Sequence, residues 1–214
     1  MPKHDEIGYW SEVKLDIVRK YASAYSTIMN KQKEIRSYLY IDAFSGAGVH
    51  IKKQTREFVA GSPLNALVIS PAFSEYHFID LDGDKVDKLG EIVGKRSDVS
   101  IHKGDCNKVL LAEVFPRCRY EDYRRALCLL DPYRLNVNWE VLQKAGEMKS
   151  IEIFYNFMIM DANMNVLWRS PDKVQASQAA RMDAVWGDHS WREAAYKKMP
   201  GLFGEIEEKA TNEA

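Results

Sequence analysis

The sequence predicts an α/β protein in which one Rossmann-like parallel sheet lies between two layers of helices (three-layer α/β/α). Apolar runs of strand length alternate with segments of helical periodicity along 214 residues, a length typical of one α/β domain. The first apolar run, Tyr38 to Ile41, ends at an acid and a glycine turn. Because the carboxyl ends of parallel strands meet at one edge of the sheet, where ligands bind, acids at other strand ends are further candidate ligand-binding residues. Such acids follow four more predicted strands, at Asp80, Asp105, Asp131 and Asp161.

Composition limits the class of protein. The net charge is −1 and 46% of residues are hydrophobic, so any contact with nucleic acid has to use local basic patches. The N-terminal residues 1–6 are too polar for a signal peptide, and the longest apolar run, residues 153–160, is too short to span a bilayer. Three cysteines without C-x-x-C spacing predict buried or free thiols and no metal site. We therefore expect a cytoplasmic chain that does not enter a membrane.

The first predicted helix covers residues 11–31, with Ser11 as its N-cap. Its apolar residues recur every three or four positions, which is typical of an amphipathic helix: Leu15, Val18, Ala22, Tyr25 and Ile28 or Met29. The aromatic residues Tyr9, Trp10, Tyr21 and Tyr25 either line a substrate cleft or pack in the core, and core packing is the favoured interpretation.

The first turn fits the pattern D-x-F-x-G-x-G. Glycines allow a tight turn and a close approach of backbone to ligand, and an acid before them suits an amine or hydroxyls better than a phosphate. A dinucleotide fingerprint would need a third glycine where Ile51 stands. An ordinary β-to-loop turn is the alternative. The candidate ligand-binding residues are Asp42, Phe44, Ser45, Gly46 and Gly48.

The segment from Val49 to Ala60 has no clear periodicity and carries several basic residues. It separates the glycine turn from its helix by about a dozen residues, longer than the usual loop of about two to six. The basic residues could meet a phosphate backbone or simply face solvent, and the sequence does not separate the two. The next helix is predicted to begin with Ser62 as N-cap and Pro63 in its first turn, with Leu64, Leu67 and Val68 facing the core.

The second and third predicted strands are 76–79 and 99–102. Asp80 at the second strand end is placed to accept both hydrogen bonds of a ribose. Asp82 is a further ribose candidate or the cap of the following helix. After the third strand, Asp105 is either a ligand-binding acid or the N-cap of a helix over about 108–114.

The fourth strand, 126–130, runs into Asp131, Pro132 and Tyr133. This tripeptide resembles the [D/N/S]-P-P-[Y/F/W] motif of amino-methyltransferases, in which an oxygen and a proline carbonyl hold the target nitrogen and the aromatic ring stacks on a base. The chain has one proline where the motif has two. The alternative is a strand end closed by a proline turn, with Tyr133 as a packing residue.

The C-terminal third is predicted to be mostly helical. A helix over 137–148 precedes a fifth strand over 150–160 that contains Asn156, followed by a polar cluster over 161–165 on the ligand side. Helices over 174–186 and 190–198 and a terminal helix over 205–214 complete the chain, and nothing after Asp172 resembles a strand. Class I methyltransferases, to which the amino-methyltransferase motif belongs, close their sheet with a sixth and a seventh strand. Those two strands are expected to be missing here, with terminal helices or a homodimer covering the sheet edge.

The series as a whole resembles the three-Cys-motif partner proteins (TcmP), class I S-adenosylmethionine (SAM) dependent methyltransferase-like proteins encoded beside a protein with a three-cysteine motif. The likeness covers almost the full chain, as one domain over 1–214 with an N-terminal helix (1–35), a cofactor-binding core (36–160) and a helical part (161–214). The segments that carry it are Lys14-Leu15, Lys20-Tyr21, Tyr40 to Gly48, Gly61-Ser62-Pro63, Leu130 to Tyr133, Asn156-Phe157, Trp186-Gly187-Asp188 and Trp191-Arg192.

The resemblance implies SAM as cofactor, without a metal, and a three-cysteine-motif protein as partner. It implies contacts from Asp42, Phe44, Ser45, Gly46 and Gly48 to the methionine part, from Asp80 and Asp82 to the ribose, and from Asp105 and Cys106 to the adenine. Asp131, Pro132 and Tyr133 would orient the target nitrogen, with a nucleic-acid base as the predicted substrate. The alternative is a non-catalytic or SAM-binding scaffold that works with the three-cysteine-motif protein.

Overall fold

The computed structural model describes residues 5–201 and 204–210. The strands are β1 (Glu6–Ile7), β2 (Ser37–Asp42), β3 (Val49–Lys52), β4 (Phe58–Ala60), β5 (Glu75–Asp80), β6 (Val99–Lys103), β7 (Arg124–Leu130), β8 (Ile151–Tyr155), β9 (Tyr196–Gly201) and β10 (Gly204–Lys209). The α-helices are α1 (Tyr9–Lys31), α2 (Ser62–Leu67), α3 (Gly83–Val93), α4 (Cys106–Val109), α5 (Trp139–Met148), α6 (Ile159–Asn165), α7 (Ala176–Trp186) and α8 (Trp191–Ala195). The chain forms two compact units, the first from residues 1–131 and 144–155 and the second from 132–143 and 156–214.

The first unit contains a five-stranded sheet of order β6-β5-β2-β7-β8. Its strand pairs are all parallel, and Tyr40 of β2 lies opposite Tyr76 on one side and Leu127 on the other. Numbered within this sheet, the order is 3-2-1-4-5, which is compatible with a Rossmann-like doubly wound fold. The predicted α/β class with a parallel sheet is confirmed.

The central strand β2 is buried on both faces. Side chains alternate across a strand, so Tyr38 and Tyr40 point to one face and Leu39 and Ile41 to the other, and all four are at most 8% exposed. The tyrosine face packs into an aromatic core with Phe73, where ring centroids of Tyr38 and Tyr40 lie 5.5 and 5.4 Å from that of Phe73. An apolar run without alternation is what a strand covered on both faces requires.

The segment after the glycine turn is a small sheet rather than an irregular loop. β3 and β4 pair antiparallel, and β1 adds to β3 in parallel, with Glu6 opposite Ile51. The prediction of a segment without regular structure was wrong. Strands of four, three and two residues are too short to show an alternating pattern in the sequence.

Two predicted helix starts were wrong by one to three residues. α1 begins at Tyr9 with Gly8 as its N-cap, so Ser11 lies inside its first turn. α2 is capped by Gly61, and Ser62 is its first helical residue. Val68, predicted to face the core, is 77% exposed. Cap positions shift easily in such predictions because glycine and serine both serve as N-caps.

The predicted fifth strand was too long. β8 ends at Tyr155, and the chain then turns into α6, so Asn156 follows the strand and Met158 caps the helix. The run of apolar residues hid this break, because periodicity does not separate a buried strand from a short buried helix.

The second unit contradicts the prediction that no strand follows Asp172. α7 ends, as predicted, at Gly187, whose φ of 102° is left-handed. α8 is shorter than the predicted helix over 190–198, because β9 begins at Tyr196. β9 and β10 form an antiparallel pair in which Tyr196 lies opposite Lys209, where the terminal helix was predicted. Residues 211–214 of that predicted helix lie outside the described residues. Lysine-rich and glutamate-rich segments have low strand propensity, but strand pairing overrides it here.

No helix in the described part of the chain is long and apolar enough to cross a membrane.

A buried histidine is expected to make the protein acid-sensitive. His77 on β5 is 2% exposed, and burial, with further contributions from His102 and Arg117, lowers its pKa to about 4. The folded state therefore holds His77 neutral while the unfolded state protonates it below pH about 6.5, so its contribution to stability is present above that pH and is lost as the pH falls to about 4. We expect the stability of His77→Gln, measured by urea unfolding against pH, to lack this dependence of up to about 3 kcal/mol.

The matched control is His189→Gln, because the side chain of His189 is 83% exposed. That variant should keep the wild-type dependence on pH. Identical pH profiles for wild type and His77→Gln would contradict the prediction.

Candidate functional site

The candidate site is built on Asp42, the last residue of the central strand. Asp42 is fully buried, and its Oδ1 accepts a hydrogen bond from the Phe44 amide at 3.2 Å. Its other oxygen, Oδ2, has no donor in hydrogen-bond geometry among the described residues. Burial raises the pKa of Asp42 to about 7, opposed by the nearby Ser62 hydroxyl and the Phe44 amide. A buried carboxylate with one oxygen unsatisfied is costly to the fold and suits a ligand that brings a donor.

The turn after Asp42 is held by the neighbouring strand β5. Ser45 donates from its amide (2.9 Å) and its hydroxyl (3.2 Å) to the Ile79 carbonyl, and the Gly46 amide donates to Asp80 Oδ2 at 2.8 Å. Gly46 and Gly48 have φ values of 63° and 78°, in the left-handed region that favours glycine. The sequence-predicted glycine turn therefore lies directly against the tip of the second strand, as expected for a shared ligand edge.

The three acids predicted to reach a ribose and an adenine each hold backbone amides. Asp80 Oδ1 accepts from the Asp82 amide at 2.9 Å, and its Oδ2 accepts from Gly46. Asp82 caps α3 through the Asp84 amide (3.0 Å), and Asp105 caps α4 through the Asn107 amide (2.9 Å). The cap alternatives for Asp82 and Asp105 are confirmed. Carboxylate oxygens keep further lone pairs, so capping leaves capacity for a ligand.

Cys106 follows Asp105 as the first residue of α4 and is buried. Burial raises the pKa of its thiol to about 12, so the side chain is a neutral thiol at neutral pH. Cys118 and Cys128 are also free and buried. Among the described residues, no group of three or more histidines, cysteines or acids could hold a metal ion.

Asp131 at the end of β7 forms an ion pair that the sequence analysis missed. Lys14 of α1 lies 2.8 Å from Oδ1 and 2.7 Å from Oδ2 of Asp131, and both side chains are partly exposed. The sequence contains a signal for it, because Lys14 continues the buried stripe of Val18, Ala22 and Tyr25 at a spacing of four. A lysine in line with core positions indicates a buried or shared carboxylate partner.

His50 of β3 was also missed as a site residue. Its Nδ1 is buried without a hydrogen-bond partner among the described residues. Burial lowers its pKa, and the charges of Lys14 and Asp131 contribute smaller effects of opposite sign. Its Nε2 would lie 3.1 Å from a Cβ added at Gly61, so glycine is favoured at that position. His50 is thus a buried imidazole that lies within electrostatic range of Asp5, Lys85 and the Lys14–Asp131 pair.

The remaining predicted site residues belong to the second unit. Pro132 is buried and Tyr133 is 64% exposed. Asp161 was predicted to face a ligand, but within α6 it accepts from the Leu135 amide (3.0 Å) and from Asn165 (2.8 Å) and pairs with Arg181. Burial would raise the pKa of Asp161, but these partners outweigh it and lower the pKa. Asp161 is therefore an organising residue inside this unit.

Comparison with known proteins adds little. No family model and no curated protein matches the sequence. Among solved structures, the chain is similar to protein LPL1258 from Legionella pneumophila, assigned to DUF519, at 11% identity and a TM-score of 0.47. The alignment covers 65% of this chain and 66% of that one, so this chain spans slightly less than two thirds of the matched structure.

Proposed function

We propose that the chain is a SAM-dependent methyltransferase of class I type that methylates an amino nitrogen, with a nucleic-acid base as acceptor. The observation that carries the proposal is the unsatisfied Oδ2 of Asp42, buried at the end of the central strand beside two left-handed glycines. The resemblance to TcmP sequences supports this proposal. We also propose a three-cysteine-motif protein as partner, which the resemblance implies, and a cytoplasmic location.

The residues fit the cofactor. The ammonium group of the methionine part would supply the donor that Asp42 Oδ2 lacks, and the Phe44 to Gly48 backbone offers a close surface beside it. Asp80 has lone pairs left for ribose hydroxyls, and the exposed Asp105 and the Cys106 main chain would contact the adenine. Carboxylates at successive strand ends repel phosphates, which disfavours a dinucleotide.

When bound, SAM supplies an electrophilic methyl group on a sulfonium. In the proposed mechanism Asp131 accepts a hydrogen bond from the target amine, which directs the nitrogen lone pair away from the carboxylate. The ring of Tyr133, which is 64% exposed, would stack on the base. Lys14 orients the Asp131 carboxylate through their ion pair. Positioning provides most of the rate enhancement, since no difficult proton transfer precedes the attack.

Isothermal titration with SAM and S-adenosylhomocysteine tests the proposal. We expect one site, with affinity in the micromolar range common for enzyme substrates, about 1 to 100 μM. A folded, monodisperse sample that binds neither compound would refute it. Bound SAM together with labelled methyl transfer to oligonucleotides would support both halves of the proposal.

Lys14 is expected to matter for transfer and not for cofactor binding. Replacing Lys14 by Met removes the ammonium group that pairs with Asp131. Because a charge-assisted hydrogen bond is worth about 1.5–3 kcal/mol, we expect the rate of methyl transfer to fall about 10- to 100-fold. Titration should show an affinity for SAM within about twofold of wild type. Lys20→Met is the matched control, because Lys20 pairs only with Asp16 on the same helix among the described residues and is 70% exposed.

The scaffold function is favoured by the same ion pair. Lys14 contacts both oxygens of Asp131, as it would in a site that accepts no amine. In that case Lys14→Met would still bind SAM, and neither it nor the wild type would transfer a methyl group to any nitrogen acceptor.

A further inference from the structure

Two large aromatic side chains at the start of α1 are left in solvent. Tyr9 is 66% and Trp10 80% exposed, and their rings meet edge to face with centroids 5.4 Å apart. The prediction that both pack in the core was wrong, whereas Tyr25 on the same helix is 5% exposed, as predicted. Burying a tryptophan normally contributes strongly to stability, so an exposed aromatic pair indicates a surface that something else covers.

The aromatic pair lies beside the β3–β4 hairpin. β1 pairs with β3 immediately before α1, and the Lys53 amide donates to the Ile7 carbonyl at 3.0 Å. Phe58 on β4 is 68% exposed. These backbone bonds fix the position of Tyr9 and Trp10 relative to Lys53. We call the surface formed by Tyr9, Trp10 and Lys53 the aromatic platform.

The charges around the platform are moderate. Lys52 pairs with Glu12 at 2.8 Å, and Arg56 pairs with Glu6. Lys53 is exposed and has no acidic partner within ion-pair distance among the described residues. Lys53 can therefore contact a phosphate directly. Lys52 and Arg56 can do so if the phosphate displaces the carboxylates of Glu12 and Glu6.

We propose that the aromatic platform binds single-stranded nucleic acid by stacking bases on Trp10 and Tyr9, with Lys53 on the backbone. This deepens the proposed function and rests on it, because it names the form of substrate that reaches Asp131. Exposed aromatic rings beside cations are the recognition chemistry of single strands, since every base has a face to stack and every nucleotide a phosphate. An apolar protein surface would use the two aromatic rings but would offer no partner for the charge of Lys53.

The platform and the acceptor site share one helix. Trp10 and Lys14 are four residues apart on α1, which separates their Cα atoms by about 6 Å along the axis. Lys14 contacts Asp131. A strand stacked on Trp10 therefore passes the residue proposed to receive the target amine.

Fluorescence anisotropy with labelled single-stranded DNA and RNA of about 12 nucleotides tests the proposal on the full chain. We expect Trp10→Ala to weaken binding about 10-fold or more, since one stacked base is lost. Lys53→Gln should reduce the slope of log affinity against log salt by about 0.7, the value for one phosphate contact on a single strand. Tyr120→Ala is the control, because Tyr120 is 51% exposed and precedes the opposite, amino end of β7.

Three results would overturn the proposal: no oligonucleotide binding, binding unchanged by Trp10→Ala, or a dimer in sedimentation analysis that Trp10→Ala dissociates. Titration with SAM is run on the same samples. SAM binding without oligonucleotide binding would reject the platform and leave the proposed cofactor intact, and the reverse result would reject the proposed methyltransferase.

Discussion

Replacing Asp42 with asparagine is expected to weaken SAM binding by about 100-fold or more. The asparagine amide keeps the size of the side chain and an acceptor for the Phe44 amide, but it presents no negative charge to an ammonium group. Loss of a charge-assisted bond in a buried place costs about 1.5–3 kcal/mol or more, because the ligand cation is then desolvated without a partner. Calorimetric titration of both proteins at pH 8 measures the difference.

The same substitution is expected to change how stability depends on pH. The folded-state pKa of Asp42, about 7, is raised above its ordinary value of 3.8, so the folded protein binds a proton that the unfolded chain has released. Asp42 therefore contributes a loss of stability of about 1.4 kcal/mol per pH unit as the pH rises from about 4 to 7, opposite in sign to the contribution of His77, and Asp42→Asn lacks this contribution. The difference in unfolding free energy between variant and wild type, measured by urea unfolding, should therefore favour the variant more at pH 8 than at pH 4.

Asp87→Asn is the control for both measurements, because Asp87 is an exposed acid within α3 that has no proposed role in the site. It should keep the wild-type slope of stability against pH. Wild-type SAM affinity combined with a wild-type slope in Asp42→Asn would show that Asp42 is neither a ligand residue nor a protonated one.

Substituting Gly48 by alanine is expected to cost about 2–5 kcal/mol of unfolding free energy. The φ of 78° costs an L-residue about 1–2 kcal/mol, and the new Cβ would lie 2.7 Å from Leu89 Cδ1. Leu89 is fully buried, so it can move only by disturbing the core, at about 1–3 kcal/mol. The midpoint of urea unfolding measures the loss.

Gly46→Ala provides a matched comparison within the same turn. Its φ of 63° is similar, but nothing lies within 4 Å of the added Cβ, so only the backbone term of about 1–2 kcal/mol applies. Equal losses for the two variants would contradict the assignment of the larger cost to packing against Leu89.

Features coded by a few neighbouring residues could be predicted from the sequence. An apolar run without alternation gave the buried strand β2, and the acid and glycines after it gave a turn with two left-handed glycines. The caps at Asp82 and Asp105 follow from a carboxylate placed two residues before free helix amides. Each of these depends on contacts within about five residues.

Features that depend on contacts between distant segments could not be predicted from the sequence. The Lys14–Asp131 pair joins residues separated by 117 positions, and only the position of Lys14 on the core stripe hints at it. β1 and β3 are short and acquire their strand structure by pairing with each other, as β9 does with β10. The environment of Asp161 depends on Arg181 from another helix. Local propensity carries no information about such partners.

Helix α1 carries both the aromatic residues of the platform and the lysine that contacts the proposed acceptor carboxylate. Its 23 residues form a rod about 34 Å long, anchored in the core through Val18, Ala22, Tyr25 and Ser26. Trp10 and Lys14 lie in its first two turns, before the first fully buried residue, where Lys14 pairs with Asp131 and Glu12 with Lys52. Because one helix carries both residues, base stacking on Trp10 and the Lys14–Asp131 contact are linked through a single structural element.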